Sequence, residues 1–280
     1  MIFPTEASLP AFFPIAFATF VWWSSTGLIL FLDGLPRTTF PWSMGAASIL
    51  LVIALGGLAQ SAQSTSVCAA YQAFSCAVLI WAWLEMSFLL GFLIGPRRSL
   101  NHPTSHGWQR FRNATEAILY HELALVAAAA LVTFLTWHAP NPIGSWTFAV
   151  LWVMRLSAKL NLFLGVPNLS AELLPSHLAH LRQYLTRRPM NELFPVAVTV
   201  ASAVDAYLIF AATEAPDQSF SSVGLALVAT LLSLAILEHW LMIIPVNASK
   251  LWQWALDSTR RTAAAPEPEP TATPDESAPR

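Results

Sequence analysis

The chain has 280 residues, of which 55% are hydrophobic and 11% are charged, and its formal net charge is −2. Soluble globular proteins carry about 25% charged residues, so this composition excludes a soluble protein and indicates a polytopic membrane protein. Because the chain has no excess of basic residues, a protein that neutralises the phosphates of a nucleic acid is excluded as well. The two cysteines, Cys68 and Cys76, are too few for a disulfide framework, and we expect both to be core thiols.

Seven apolar segments are long enough to cross a bilayer, which takes ~20 residues per helix. In chain order they span residues 11–32, 43–59, 67–94, 114–137, 143–164, 193–213 and 220–244. The first segment lacks a basic region before it and a small-residue cleavage site, so it is expected to be a membrane helix rather than a signal peptide. We predict an all-α fold with a seven-helix transmembrane domain over residues 1–254. Residues 255–280, rich in proline, alanine, glutamate and threonine, are expected to form a disordered cytoplasmic tail.

The basic residues predict the orientation of the bundle. Lysine and arginine occur after the first, third, fifth and seventh segments, whereas the N-terminus and the loops after the second, fourth and sixth segments contain none. Cytoplasmic loops of membrane proteins carry the excess of basic residues. The pattern therefore predicts an N-terminus outside the membrane and a C-terminus in the cytoplasm.

The longest loop contains a stretch, residues 176–186, that is predicted to be a short amphipathic helix along the cytoplasmic interface. On it, His177 and His180 form an H-x-x-H pair, with Glu172 upstream. This spacing suits a metal site with a third ligand, and it suits the polar face of a surface helix equally well.

Ionisable side chains inside the predicted helices form the strongest candidate site, because charge within a membrane is costly and is a functional hypothesis by default. A rise of ~1.5 Å per residue puts seven of them at one depth, roughly 8–13 Å from the cytoplasmic helix ends. Asp205 lies deeper, nearer the outside. The seven residues of this intramembrane polar layer are Glu85, His121, Glu122, Arg155, Lys159, Glu238 and His239.

One interpretation of the polar layer is an ion-pair network that specifies which helices meet. Arg155 and Lys159 are four residues apart and share a helix face, so together they can bridge two neighbouring helices. Such a network needs no ligand, and it contributes to specificity more than to stability.

Two other interpretations give the layer a cofactor. Iron, manganese or zinc could be held by the carboxylates and imidazoles, although adjacent pairs differ from the i, i+3 spacing of common di-iron bundles. The candidate metal ligands are Glu85, His121, Glu122, Glu238 and His239. Alternatively, His121 or His239 could be the axial ligand of a bacteriochlorophyll-type tetrapyrrole.

Six blocks of the sequence carry a family resemblance. They are WWSSTGLILFLDGLPRTTFPWSM (22–44), EMSFLLGFLIGPRR (85–98), YHELA (120–124), LWVMRLSAKLNLFLGVPN (151–168), RRPMNELFPVAVT (187–199) and LEHW (237–240). These blocks resemble the PuhE family, photosynthetic complex assembly proteins of purple phototrophic bacteria. The resemblance implies a multi-pass protein of the bacterial inner (intracytoplasmic) membrane, encoded near the reaction-centre H subunit and tied to reaction-centre assembly and bacteriochlorophyll supply. It implies no catalytic residues.

We therefore expect an assembly factor that acts by binding pigment, a pigment-synthesis enzyme or a reaction-centre subunit, with its helices facing the lipid bilayer. A metal-dependent integral-membrane enzyme acting on a tetrapyrrole, quinone or isoprenoid through the polar layer is the alternative. Transport of protons or a small ion, with Asp205 as a second station, is a third class. The sequence contains no Walker loop, G-x-S-x-G elbow or dinucleotide-binding fingerprint.

Overall fold

The computed structural model describes residues 12–98, 106–169, 174–246 and 248–255, and these residues form seven α-helices and no β-strand. All seven helices are long and apolar enough to cross a membrane, which confirms the predicted all-α, seven-helix class. The predicted disordered tail lies outside the described residues, apart from Ala255. The helices are α1 (Phe13–Asp33), α2 (Phe40–Ser61), α3 (Val67–Leu89), α4 (Gly107–Leu135), α5 (Ile143–Leu164), α6 (Leu193–Glu214) and α7 (Phe220–Leu241).

The helix starts are set by residues that satisfy the first free amide groups. Ser66 caps α3 by accepting a hydrogen bond from the amide of Ala69, and Ser219 caps α7 by accepting one from Ser222. At α6, the Asn191 side chain accepts hydrogen bonds from the first two amides of the helix. In α1 and α2, proline stands in the first turn, where its missing amide hydrogen costs nothing.

Helix α3 lies at the centre of the bundle and packs against α1, α2, α4, α5 and α7. Small residues allow the close approach, as is usual between membrane helices. A side chain at Gly144 of α5 would collide with Leu58 of α2, and one at Gly224 of α7 would collide with Ile143. Cys76 is buried in this core, but Cys68 is exposed, so the expectation of two core thiols is wrong for Cys68.

The two ends of the bundle are held by different polar contacts. At the end where α2 finishes and α5 starts, the buried Asn141 donates to the carbonyls of Ser61 and Ala69 at 2.9 and 3.1 Å. We call the opposite end, where α1, α3, α5 and α7 finish, the basic end. There Arg97 donates to Glu116 at 2.8 Å and Arg110 to the carbonyl of Tyr184 at 2.7 Å.

Two helix bounds at the basic end differ from the prediction by five residues or more. Helix α3 stops at Leu89 rather than at residue 94, because Gly91 adopts a positive φ of 85° and turns the chain. The following segment lies against α4, where the amide of His121 donates to the carbonyl of Ile94 at 3.1 Å. Helix α4 begins at Gly107, seven residues before the predicted start at 114. Its first turns are polar and precede the apolar stretch from which the helix was predicted.

The predicted amphipathic interfacial helix is a 3-10 helix, Ser176–Tyr184. Its apolar residues Leu178 and Leu181 pack into a small core with Phe88 and Ala117, from α3 and α4. His180 is also buried, although the H-x-x-H pattern was compatible with an open polar face. The segment therefore closes the basic end of the bundle by packing against protein.

The last described residues, 248–255, pack against the middle and second half of α1. The Trp23 indole donates to the carbonyl of Leu251, and the Trp252 indole donates to the carbonyl of Trp23, both at 3.1 Å. A side chain at Gly27 would collide with the ring of Trp254. The first helix is thus joined to the last described part of the chain.

Candidate functional site

The polar layer is organised by the cationic face of α5. Arg155 donates two hydrogen bonds to Glu85 of α3, from Nε to Oε1 at 3.1 Å and from Nη2 to Oε2 at 2.9 Å. This two-pronged geometry is the strong form of an arginine–carboxylate pair. The Glu85 side chain is only 10% exposed, whereas that of Arg155 is 39% exposed. Water can therefore solvate the Arg155 guanidinium more easily than the Glu85 carboxylate if the pair is broken.

The second pair joins α5 to α4. Lys159 Nζ lies 2.6 Å from Glu122 Oε1, one helical turn beyond Arg155. The i, i+4 spacing thus sends one cation to α3 and the other to α4, the bridging arrangement that this spacing predicts. The two pairs carry two positive and two negative charges, so they are neutral together.

His121 is the least satisfied member of the layer. Its side chain is fully buried and its ring is packed against Phe88, with ring centroids 4.6 Å apart. Nε2 lies 4.0 Å from Glu85 Oε1, which is too long for a hydrogen bond. Neither ring nitrogen has a hydrogen-bond partner among the described residues.

Glu238 and His239, adjacent on α7, point to different neighbours. Glu238 is exposed and accepts a hydrogen bond from the Trp22 indole of α1 at 2.9 Å. His239 is buried, and its Nδ1 lies 2.8 Å from the carbonyl of Ala235, which can only accept, so Nδ1 is the donor. Its Nε2 lies 2.9 Å from Ser157 Oγ. Both nitrogens of His239 thus have a hydrogen-bond partner within the protein.

Four of the five candidate metal ligands, all but His121, are held by separate partners. Glu85 and Glu122 pair with different cations of α5, Glu238 bonds to Trp22, and His239 bonds to Ser157. Among the described residues, no three His, Cys, Asp or Glu side chains are grouped so that they could hold a metal ion. The cause is the ~100° step between adjacent helical residues, which turns each neighbouring pair toward two different helices. The layer contains two ion pairs among the described residues.

Asp205 stands apart from the layer, on α6. Its Oδ2 accepts a hydrogen bond from Ser233 of α7 at 2.6 Å, and its Oδ1 is buried with no partner among the described residues. The residue joins α6 to α7, and no described cation pairs with it.

A chain of amide side chains extends the layer toward α6. Asn161, fully buried on α5, donates to the carbonyl of Ser157 at 2.9 Å. Asn191 donates to Asn161 Oδ1 at 3.0 Å and to the carbonyl of Gly165 at 2.9 Å. Neither asparagine was predicted to belong to a site. Asn161 could have been identified from the sequence, because it is a polar residue inside an otherwise apolar helix.

The H-x-x-H residues lie away from the polar layer, at the basic end. His177 and His180 line a cavity there, together with Arg37 and Arg98, which the sequence analysis had not singled out. Glu172, the third candidate ligand, lies outside the described residues.

Comparison with known proteins finds a family model and a relative, and neither description assigns a function. Residues 9–263 match the model of a family described as DUF3623, protein of unknown function. A Rhodobacter capsulatus protein described as an uncharacterized 30.4 kDa protein in the puhA 5' region is 40% identical over 257 residues. That alignment covers 89% of this chain and 93% of the relative. No solved structure matches.

Proposed function

The chain belongs to the DUF3623 family, and on that basis we propose that it serves assembly of the photosynthetic reaction centre or its supply of bacteriochlorophyll. The observation that carries the proposal is the 40% identical relative, whose description places it in the puhA 5' region of a purple bacterium. The six PuhE-like blocks support the same reading. In this proposal the protein is a multi-pass protein of the bacterial inner membrane, with its C-terminus in the cytoplasm.

The protein acts by binding in this proposal rather than by catalysis, and the polar layer supports that choice. In each of its two ion pairs the positive and the negative charge cancel, and both nitrogens of His239 have a hydrogen-bond partner within the protein. A layer of this kind specifies which helices meet. In this proposal, the outer surface of the bundle recognises the partner.

The outer surface carries large apolar side chains on the even-numbered helices. Trp42 of α2 is exposed, as are Phe134 of α4 and Tyr207 of α6. In a bilayer these faces meet lipid, a pigment or the helices of a partner. We propose reaction-centre subunits or pigment-synthesis enzymes as the protein partners.

Deletion of the gene in a phototrophic host tests the proposal. The amount of assembled reaction centre is measured from its near-infrared absorption in membranes, and total bacteriochlorophyll and its free precursors are measured from solvent extracts. We expect the deletion to lower assembled reaction centre, and complementation with the intact gene to restore it. Lower reaction centre with accumulated free pigment indicates a direct role in assembly, whereas a parallel fall in all pigment indicates a role in supply.

Two complementing variants test whether the layer is needed for more than the packing of the helices. Arg155→Met perturbs the layer, and Arg112→Gln is the control, because the Arg112 side chain is 61% exposed and outside the layer. Reaction-centre content is compared at equal amounts of the complementing protein, measured by immunoblot. We expect both variants to restore assembly per molecule. Unchanged reaction centre and pigment in the deletion strain would contradict the proposed function.

A further inference from the structure

A cavity of about 350 Å³ opens at the basic end of the bundle. Three segments that are distant in sequence form it: the start of the short 3-10 helix Arg37–Thr39, the loop after α3, and the 3-10 helix Ser176–Tyr184. Ligand sites typically occupy about 300–1,000 Å³, so the cavity is large enough for a small ligand group. Its position is outside the polar layer described above.

Four of the side chains that line this cavity are basic: Arg37, Arg98, His177 and His180. The other lining residues are apolar or glycine, and no acidic side chain of the described residues lines the cavity. Arginine stays charged at every physiological pH. The cavity therefore holds at least two positive charges with no negative charge from its own described walls.

The loop after α3 seats His177 closely. Gly91, with a φ of 85°, brings its backbone so near to the imidazole that a Cβ would lie 3.3 Å from His177 Cδ2. His177 Nε2 lies 2.6 Å from the carbonyl of Leu89, so Nε2 is the donor. The ring also packs against Phe40, with ring centroids 6.0 Å apart. The wall of the cavity is thus a fixed part of the fold.

His180 carries an atom whose hydrogen-bonding capacity is unused. Its side chain is buried, with the residue 9% exposed. Nε2 is buried and has no partner among the described residues. Buried polar atoms in proteins nearly always have a partner from the protein, water or a ligand. His180 Nε2 is therefore a contact point for a ligand in the cavity.

The electrostatics of the cavity favour an anion over a cation. Burial lowers the pKa of both histidines, and the charges of Arg37 and Arg98 lower the pKa of His177 and His180 respectively still further. The same charges would repel a metal ion. An anion would relieve the repulsion, and it would favour the protonated form of the imidazoles.

We propose that this cavity binds a phosphate group, with Arg37 and Arg98 supplying the charge and His180 supplying a buried hydrogen bond. Guanidinium groups match the oxygens of phosphate in charge and geometry. A bound phosphate favours the protonated form of His180, in which Nε2 donates to a phosphate oxygen. Binding consequently takes up a proton. The phosphate group belongs to an anionic lipid headgroup or to a soluble phosphate. This inference does not depend on the proposed function.

Two binding measurements on the full chain distinguish the two sources. In the first, protein freed of lipid in a neutral detergent is titrated with inorganic phosphate by calorimetry. In the second, the protein is presented with equal amounts of phosphatidylglycerol and phosphatidylcholine, and the lipids that it retains are identified by native mass spectrometry. Binding of inorganic phosphate indicates a soluble ligand. Selective retention of phosphatidylglycerol without binding of inorganic phosphate indicates a lipid headgroup.

The test variant is Arg37→Gln/Arg98→Gln, and its control is Arg112→Gln/Arg187→Gln, which loses the same charge without touching the cavity. The test variant is expected to lose about tenfold or more in affinity or selective retention, because both charged donors to the phosphate are removed. The control is expected to bind as the unaltered protein does. Circular dichroism and gel filtration check that each variant is folded.

A second variant, His180→Gln, keeps both arginines and tests the proton coupling. The unaltered protein is expected to bind more tightly at pH 6 than at pH 8, and this difference is expected to shrink in the variant. Equal losses in the two arginine variants would overturn the proposal, since the effect would then be general surface charge. Binding of neither probe would overturn it as well. Stoichiometric Zn²⁺ binding that requires His177 and His180, without phosphate binding, would replace it by a metal site.

Discussion

Removal of Arg155 tests the central ion pair of the polar layer. Arg155→Met takes away two hydrogen bonds and leaves the Glu85 carboxylate, 10% exposed, without its guanidinium. Breaking a fully buried pair costs about 3–5 kcal/mol, and an exposed pair is worth about 0.2–1 kcal/mol. Because the Arg155 side chain is 39% exposed, we expect a loss of about 2 kcal/mol in the free energy of unfolding, between those limits.

The double variant Glu85→Gln/Arg155→Met is expected to be more stable than Arg155→Met alone, because a neutral amide needs no cation. The coupling energy between the two sites should be about 1–2 kcal/mol. Unfolding by SDS in mixed micelles, followed by circular dichroism, measures all four members of the cycle. As a control, the more exposed pair Arg112 and Glu116, 3.5 Å apart, should couple by less than about 0.5 kcal/mol. Additive effects of the two layer substitutions, within about 0.5 kcal/mol, would refute the pairing argument.

Three further outcomes follow from other parts of the fold. Asn141→Leu is expected to lower the free energy of unfolding by about 1–3 kcal/mol in the same SDS titration, because two backbone carbonyls each lose the side-chain amide that donates to them. Gly91→Ala is expected to cost about 1–2 kcal/mol, because a side chain is strained at a φ of 85°; an unchanged unfolding midpoint would count against this. Since His177 and His180 have a lowered pKa in the folded protein, the unfolded chain binds more protons in acid. Stability is then complete above about pH 6.5 and falls as the pH drops below it, and replacing both by glutamine should flatten that slope.

The seven helices were predictable because a bilayer imposes a length and an apolar composition on every segment that crosses it. The end of α3 was not, because the apolar residues after Leu89 continue the hydropathy signal past the turn at Gly91. Hydropathy indicates where a chain is apolar, but it does not predict a positive φ at a single glycine. The short helix over the H-x-x-H segment was predicted, but its amphipathic pattern allows either lipid or protein as the neighbour of its apolar residues, and they pack against protein.

The site was predictable to the extent that it depends on spacing within one helix. The four-residue separation of Arg155 and Lys159 indicated that they would bridge neighbouring helices, and they contact α3 and α4. Which carboxylate each cation would meet depends on the rotation of the other helices, which the sequence pattern does not define. The cavity that contains Arg37 and Arg98 was hidden altogether, because three distant segments of the chain form it.

The contacts of α1 have a consequence for the order of events during synthesis. The Trp22 indole bonds to Glu238, 216 residues later in the chain, and Trp23 bonds to the backbone of Leu251. At ~5–20 residues per second, a ribosome takes roughly 10–40 s to make that intervening length. Throughout this interval α1 is in the membrane with its indole donors unmatched. A chain that has not yet reached α7 is therefore chemically distinguishable from one that has, and α1 completes its contacts only after the other six helices have been made.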